Sequence, residues 1–255
     1  RRLTNPLRSD WRVTSYSALT AREGEEAGEA LDRDPHPPGV LPAAAAPDPE
    51  PIGPLADFPA GAGAGLFFHD LLEHLDFGRT AGPELAAGVA AALQAHGFPL
   101  HWTAAVAEGL HQVLEADLLG GAGPPLRLRD LAPADRVAEM EFYHPLRRLA
   151  PGRLADCFRR HLKAGLHGDL PLRLERLGLH PLEGALKGYI DLVFRRHGRY
   201  YLLDWKSNLL GDRVGHYGRP ALAEVMAREL YVLQYHLYTL ALDRLDLDIR
   251  SGERI

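Results

Sequence analysis

Residues 186–207 constrain this chain more than any other stretch. Two runs, Gly188-Tyr189-Ile190-Asp191-Leu192-Val193-Phe194 and Arg199-Tyr200-Tyr201-Leu202-Leu203-Asp204-Trp205-Lys206, flank His197-Gly198. β-Branched and aromatic residues on both sides of a two-residue, Gly-containing turn predict a β-hairpin. Counted outward from that turn, Asp191 falls opposite Asp204, on one face and with Cβ atoms roughly 4.5–5.5 Å apart. Like charges so placed destabilise a sheet unless something positive lies between them. Lys206, two residues beyond Asp204, projects from the same face. Two carboxylates and a lysine gathered in this way suit a hard divalent cation such as Mg2+ or Mn2+. The lysine is placed to help deprotonate a water or to stabilise charge on a phosphate. The same spacing also arises in strands whose carboxylates are merely solvated. Tyr189, Val193 and Leu202 share the face and favour a cleft.

The remaining elements follow from periodicity and punctuation. Arg12-Val13-Thr14 reads as a short strand, with Ser15 or Ser17 as the N-cap of a helix. Residues 21–60 turn acidic and then rich in Pro and Ala, a composition that cannot bury enough apolar area to offset its ordering entropy, so a linker is expected there. After the small-residue run Gly61 to Gly65, apolar residues at 68, 71, 72 and 75 predict a helix over 66–75. Further helices are expected over 83–96, 103–118 and 153–164, the last with Arg159, Arg160 and Lys163 near its end. A strand is expected over 137–146 and one long helix over 222–242. The order predicts an α/β fold, a small central sheet covered by helices. Residues 1–20 would form the N-terminal segment of the domain, 21–60 the linker and 61–255 the core.

Charge and cysteine content narrow the classes. The net charge of −5 argues against nucleic acid at first sight, but residues 21–60 hold nine acids against Arg22 and Arg33, a local −7. The rest of the chain is left at +2, compatible with a DNA groove without requiring one. The single cysteine, Cys157, leaves no disulfide framework and fits a reducing compartment. It cannot supply the thiolates of an iron–sulfur cluster or a Cys-rich zinc site, and it reads as a half-buried small apolar residue. There is no apolar run long enough for a membrane span and no secretory signal. Arg1 without a methionine and Ile255 just past a helical segment are what cuts within a longer protein would leave.

Taken in order, six blocks resemble one known family. An Asp followed by Asp-x-Lys on a hairpin resembles the PD-(D/E)XK nuclease superfamily, and the surrounding residues are similar to the nuclease domain of RecB subunits. The blocks are Trp11-Arg-Val-Thr-Ser-Tyr-Ser17, Gly65-Leu-Phe-Phe-His69-Asp-Leu-Leu-Glu73, Glu139-Met-Glu-Phe-Tyr143, the two hairpin runs through Asn208, and Leu233-Gln234-Tyr-His-Leu-Tyr238-Thr-Leu-Ala-Leu242. The similarity covers nearly all of the chain outside 21–60. It implies a PD-(D/E)XK restriction-endonuclease-like α/β fold, with a small central mixed sheet flanked by helices. It implies Mg2+-dependent hydrolysis of DNA phosphodiesters, with Mn2+ as a substitute, behind an ATP-driven helicase. The implied partners are DNA, the RecC and RecD subunits and the RecA recombinase, in the bacterial cytoplasm, for double-strand break repair and recombination.

Position by position, the resemblance makes His69, Asp191 and Asp204 metal ligands, with the carbonyl of Trp205 as a backbone ligand. It makes Lys206 the catalytic lysine and Glu139 a further acidic residue, with Glu141 a second candidate on the same strand. Gln234 and Tyr238, one turn apart on a helix, would contact the DNA backbone or brace the metal site, and a helix–core contact fits them equally well. His74, His144 and His197 read as surface or turn residues. The chain departs from the family at Trp205, where a Tyr is familiar, and at Leu209, where a Trp is. The family's final strand after the closing helix is not included, which would leave a sheet edge open. No G-x-x-x-x-G-K-[ST] loop occurs, so ATP binding is not expected. The competing reading is a nuclease-like docking module for partner subunits or recombinase loading. The joint presence of His69, Glu139, Asp191, Asp204 and Lys206 favours the enzyme.

Overall fold

Local signals set most of the element boundaries. The computed structural model describes residues 11–20, 53–79, 82–121, 123–162, 169–177 and 182–251. Strand β1 (Trp11–Thr14) leads into helix α1 (Tyr16–Thr20). Ser15 is the cap, its Oγ accepting the Ala18 N–H at 3.2 Å. Helices α2 (Ala62–His74), α3 (Pro83–Ala95) and α4 (Thr103–Glu115) follow. Then come β2 (Arg136–Leu149), α5 (Pro151–His161), the short α6 (Leu170–Glu175), β3 (Leu182–Arg196) and β4 (Arg199–Leu203). Helices α7 (Arg219–Arg228) and α8 (Tyr231–Ser251) close the chain. Pro83 and Pro151 open their helices, where a missing N–H leaves no bond unmade.

The hairpin takes the expected register. Leu192 pairs with Leu203, Val193 with Leu202 and Arg196 with Arg199. His197 and Gly198 both have positive φ, 49° and 73°, the requirement of a type I′ turn. Alternation then separates the faces: Leu192, Phe194, Tyr201 and Leu203 pack with Leu114, Leu126, Leu128 and Leu131, leaving Asp191 and Val193 for the other side. The N-terminal half of β3 pairs in parallel with β1, Arg12 opposite Gly184. The sheet runs β1-β3-β2 with β4 also on β3. The fold is therefore mixed α/β, with a small four-stranded sheet and flanking helices.

Two compact units divide the described residues. The first takes β1 and α1, Glu141–Tyr189 and the helices from Arg219 onward. Its core joins Tyr16, Ala155, Phe158, Leu170, Leu174, Leu230, Val232 and Leu233, and the Tyr16 hydroxyl donates to the Leu230 carbonyl at 2.7 Å. The second takes the residues from 53 to Met140 together with Ile190–Gly218. There α2, α3 and α4 close around Phe67, Leu71, Leu85, Val89, Leu93, Val106 and Leu110.

Several expectations change. The linker was expected to run to residue 60. Residues 21–52 lie outside the described part, but 53–60 form a 3-10 turn, Gly53–Leu55, followed by Phe58 stacked on Phe67 at 5.6 Å. Leu55 and Phe58 supply enough apolar area to anchor this stretch to α2 and α4. The single helix expected over 222–242 is two, because Leu230 has φ of 59° and breaks the helical hydrogen-bond ladder between α7 and α8. Cys157 is exposed, not half-buried: on α5 the core is met by Leu154, Ala155 and Phe158, and Cys157 falls on the opposite face. His144 is half-buried rather than at the surface, and its Nδ1 lies buried on β2 without a hydrogen-bond partner. Burial, with Arg244 adding to it, holds its pKa below the ordinary value.

Candidate metal centre

His69, Glu139, Asp191, Asp204 and Lys206 all come from the second unit. Helix α2 supplies His69, β2 supplies Glu139, and the hairpin supplies Asp191, Asp204 and Lys206. One ligand atom each from His69, Glu139 and Asp191 lies within 4.8 Å of the others. Two of the three are deeply buried, His69 at 5% exposed and Asp191 at 6%.

Asp191 is held by the end of the hairpin. The β3–β4 ladder stops at Leu192 opposite Leu203, and the next rung is a side chain to a backbone: the Trp205 N–H donates to Asp191 Oδ2 at 2.5 Å. That bond fixes the carboxylate and leaves Oδ1 3.5 Å from His69 Nδ1. The separation is too long for a hydrogen bond, and His69 Nδ1 is a buried nitrogen without a hydrogen-bond partner. Leaving such an atom unsatisfied costs on the order of 1–3 kcal/mol. A neutral imidazole nitrogen beside two carboxylates is a donor set that a divalent cation would satisfy, so the residues present fit the ion that the sequence implied. Burial works against protonating His69, but the facing Asp191 carboxylate and Asp204 behind it outweigh burial and Lys206, and the imidazole pKa stands above its usual value.

Asp204 is not one of the three. Its Oδ2 lies 2.5 Å from Lys206 Nζ, both side chains being about four-fifths buried (17% and 21% exposed). The hairpin thus presents one carboxylate towards His69 and a carboxylate–ammonium pair beside it. Glu139 completes the group instead, from a backbone with φ of 47°. For a non-glycine residue that conformation is costly, and such residues concentrate at functional sites. It also interrupts the alternation of β2. Glu141, two residues on, is engaged elsewhere, accepting Lys187 Nζ at 2.7 Å and the Tyr189 hydroxyl at 3.0 Å. These two donors, Lys187 first, hold the Glu141 carboxyl below its usual range.

Trp205 meets the group through its N–H, which donates to Asp191. Its ring packs among the apolar residues of both clusters in this unit. Gln234 and Tyr238 are buried at 3% and 1%, and Gln234 Nε2 donates to the Tyr238 hydroxyl at 2.8 Å. Phe142 meets the Tyr238 ring edge-on at 5.4 Å. They form a helix–core contact in the first unit. His74 is a surface residue at 70% exposed, and with Asp70 and Glu73 it forms a second acidic group along one helix face. Its Nδ1 is already bonded to the Asp70 carbonyl, as befits a solvated helix surface.

Sequence reasoning missed two features of the site. One is the close approach of α2 to the chain after Lys206: a Cβ at Gly65 would lie 2.9 Å from Ser207 Oγ. Gly65 is one turn before His69, so a small residue there lets the helix bring the imidazole close. The spacing Gly65-x-x-x-His69 was the available signal. The other is the backbone strain at Glu139, for which no local residue pattern speaks.

Within the second unit, a buried imidazole, two carboxylates and a lysine–carboxylate pair make a donor set of the kind that suits a hard cation. No family model matches the chain. Over 92% of its length it is homologous to a segment of the RecBCD enzyme subunit RecB of Escherichia coli, at 38% identity over 236 residues, 19% of that protein. It is 32% identical to RecB of Haemophilus influenzae over 94% of this chain and 20% of the relative. It is 36% identical to RecB of Mycobacterium tuberculosis over 92% of this chain and 23% of the relative. The chain spans about a fifth of the length of these relatives.

Proposed function

We propose that this chain is the Mg2+-dependent DNA nuclease domain of a RecBCD-type helicase–nuclease, built on a PD-(D/E)XK core. The observation that carries the reading is the convergence of His69, Glu139 and Asp191 around a buried imidazole nitrogen with no hydrogen-bond partner, next to the Asp204–Lys206 pair. The homology to RecB supports the same reading. A divalent cation held by His69, Glu139 and Asp191 would polarise a phosphodiester and lower the pKa of a water at neutral pH. The protein's own groups do the rest. The Trp205 N–H holds Asp191 in one orientation, so that its second oxygen keeps facing His69. Lys206 brings a positive charge to the place where negative charge builds on the phosphate, and Asp204 holds that ammonium in position. A low-exposure site keeps these charges from being screened by water.

Contacts of this kind are to phosphates, so binding should be tolerant of base sequence and weaken steeply with salt. The wider assignments, with RecC, RecD, RecA and DNA as partners in recombinational repair in the bacterial cytoplasm, follow from the RecB resemblance and belong to the same proposal. So do the Trp205 carbonyl as a further ligand, Asp204 as a ligand, and Gln234 with Tyr238 as braces. The test is cleavage of labelled linear single-stranded DNA by the purified chain in Mg2+, Ca2+ or EDTA, beside Asp204→Ala and Lys206→Ala. Cleavage only in Mg2+, reduced by about 10²–10³ in either variant, is expected when one charge-stabilising group is removed. Full cleavage in the variants would overturn the residue roles. No cleavage by the folded wild-type chain would make it a docking module.

A further inference from the structure

Next to the candidate metal centre, the second unit carries a half-open cavity of about 340 Å³, within the size range of pockets that take small organic ligands. It lies between the 53–60 segment, α2, α4 and the chain that follows β4. Most of its lining is apolar, with the aromatic rings of Phe58, Phe68, Trp205 and Tyr217 among it. His69 and Lys206 also line it, so the cavity and the catalytic group share two side chains. Asn208 adds an amide.

The composition of the lining says what belongs there. A metal ion or a phosphate needs oxygens, amides and charge, and gains nothing from phenyl and leucine side chains. A DNA strand held with its phosphate at His69 and Lys206 carries only one kind of group with large apolar faces and a polar edge, the nucleobase. Every base has a π-face, so aromatic walls accept any of them. We infer that this cavity is a nucleobase subsite, which takes the base of the nucleotide adjoining the scissile phosphate out of the strand's stack. The inference rests on the nuclease reading above and adds where the substrate's base goes.

The experiment uses single-stranded oligonucleotides of one sequence, intact or with one abasic residue moved along the strand, and maps every cleavage position in Mg2+. Loss of stacking on aromatic side chains should lower cleavage at phosphates beside the abasic residue about five- to a hundred-fold relative to the same phosphates in the intact strand. Cleavage elsewhere in the strand serves as the internal control. Val113, which lines the cavity and is 41% exposed, allows the space to be filled from its mouth. Val113→Trp, checked for unchanged melting, should lower cleavage of the intact strand and erase the abasic difference. Ala60→Trp, at an exposed lining position, provides a second filling variant if the first misfolds. If the intact strand is cut but abasic neighbours are cut equally well, the base subsite is wrong and the nuclease reading stands. If the intact strand is not cut at all, both fall.

Discussion

His69 carries two opposing demands. Burial favours the neutral ring and the neighbouring carboxylates favour the charged one, and the carboxylates prevail in the metal-free protein. Because its folded pKa is raised, protonation of His69 stabilises the metal-free fold below the ordinary histidine pKa of about 6.5, and that contribution is lost as pH rises through the raised value. Cation binding runs the other way, because the ion must displace the proton. Affinity for Mg2+ or Mn2+ should therefore climb with pH, approaching about tenfold per pH unit below the raised His69 value, and level off above it. Isothermal titration at several pH values in buffers of differing ionisation enthalpy would show proton release, which His69→Asn should lack. A wild-type affinity that stays flat over this range would remove His69 from the ligand set.

Among the elements, the β1–β3 pair leaves least room for change. A Cβ on Gly184 would lie 1.8 Å from the Arg12 carbonyl oxygen, and the backbone of a paired strand cannot move aside as a side chain can. Gly184→Ala should break the parallel pairing and cost at least about 1–3 kcal/mol, the usual range for overpacking. Gly152→Ala, in the first turn of α5 with nothing within 4 Å, should be neutral or mildly stabilising. Urea unfolding of the two variants against wild type separates the cases; equal midpoints would show that β1 is not held at this register. The hairpin behaves oppositely, since its register comes from local alternation and a turn whose two residues tolerate positive φ. It was legible from sequence for that reason. The α7–α8 break was not, since Leu230 has no propensity for positive φ and is held there by burial in the core of the first unit.

For the whole molecule, the prediction concerns ligand linkage. A cation that binds only the folded state raises its stability by about 2.7 kcal/mol when present at a hundred times its Kd. Thermal melting in Mg2+ or Mn2+ should show that rise for wild type and not for Asp191→Ala, and EDTA should reverse it. An identical rise in the variant would place the ion elsewhere. Among the described residues, no helix is long and apolar enough to cross a membrane.

Much of the site could be read from sequence because a hairpin is a local object. Its turn chemistry set the register from Arg196–Arg199 to Leu192–Leu203, which puts Asp191 at the end of the ladder. Six blocks in family order pointed to His69 and Glu139 without geometry. What only the tertiary structure decided depends on contacts between distant segments. Periodicity shows that α2 has a buried face but not that the face meets the chain beyond Lys206 through Gly65. Composition marks 53–60 as linker-like, yet two apolar side chains suffice once α2 and α4 offer a surface. The approach of Glu139 to His69 and Asp191, and the left-handed backbone at Glu139, follow from the same cause. Sequence records what a residue prefers by itself, whereas packing across the fold determines which preferences are overruled.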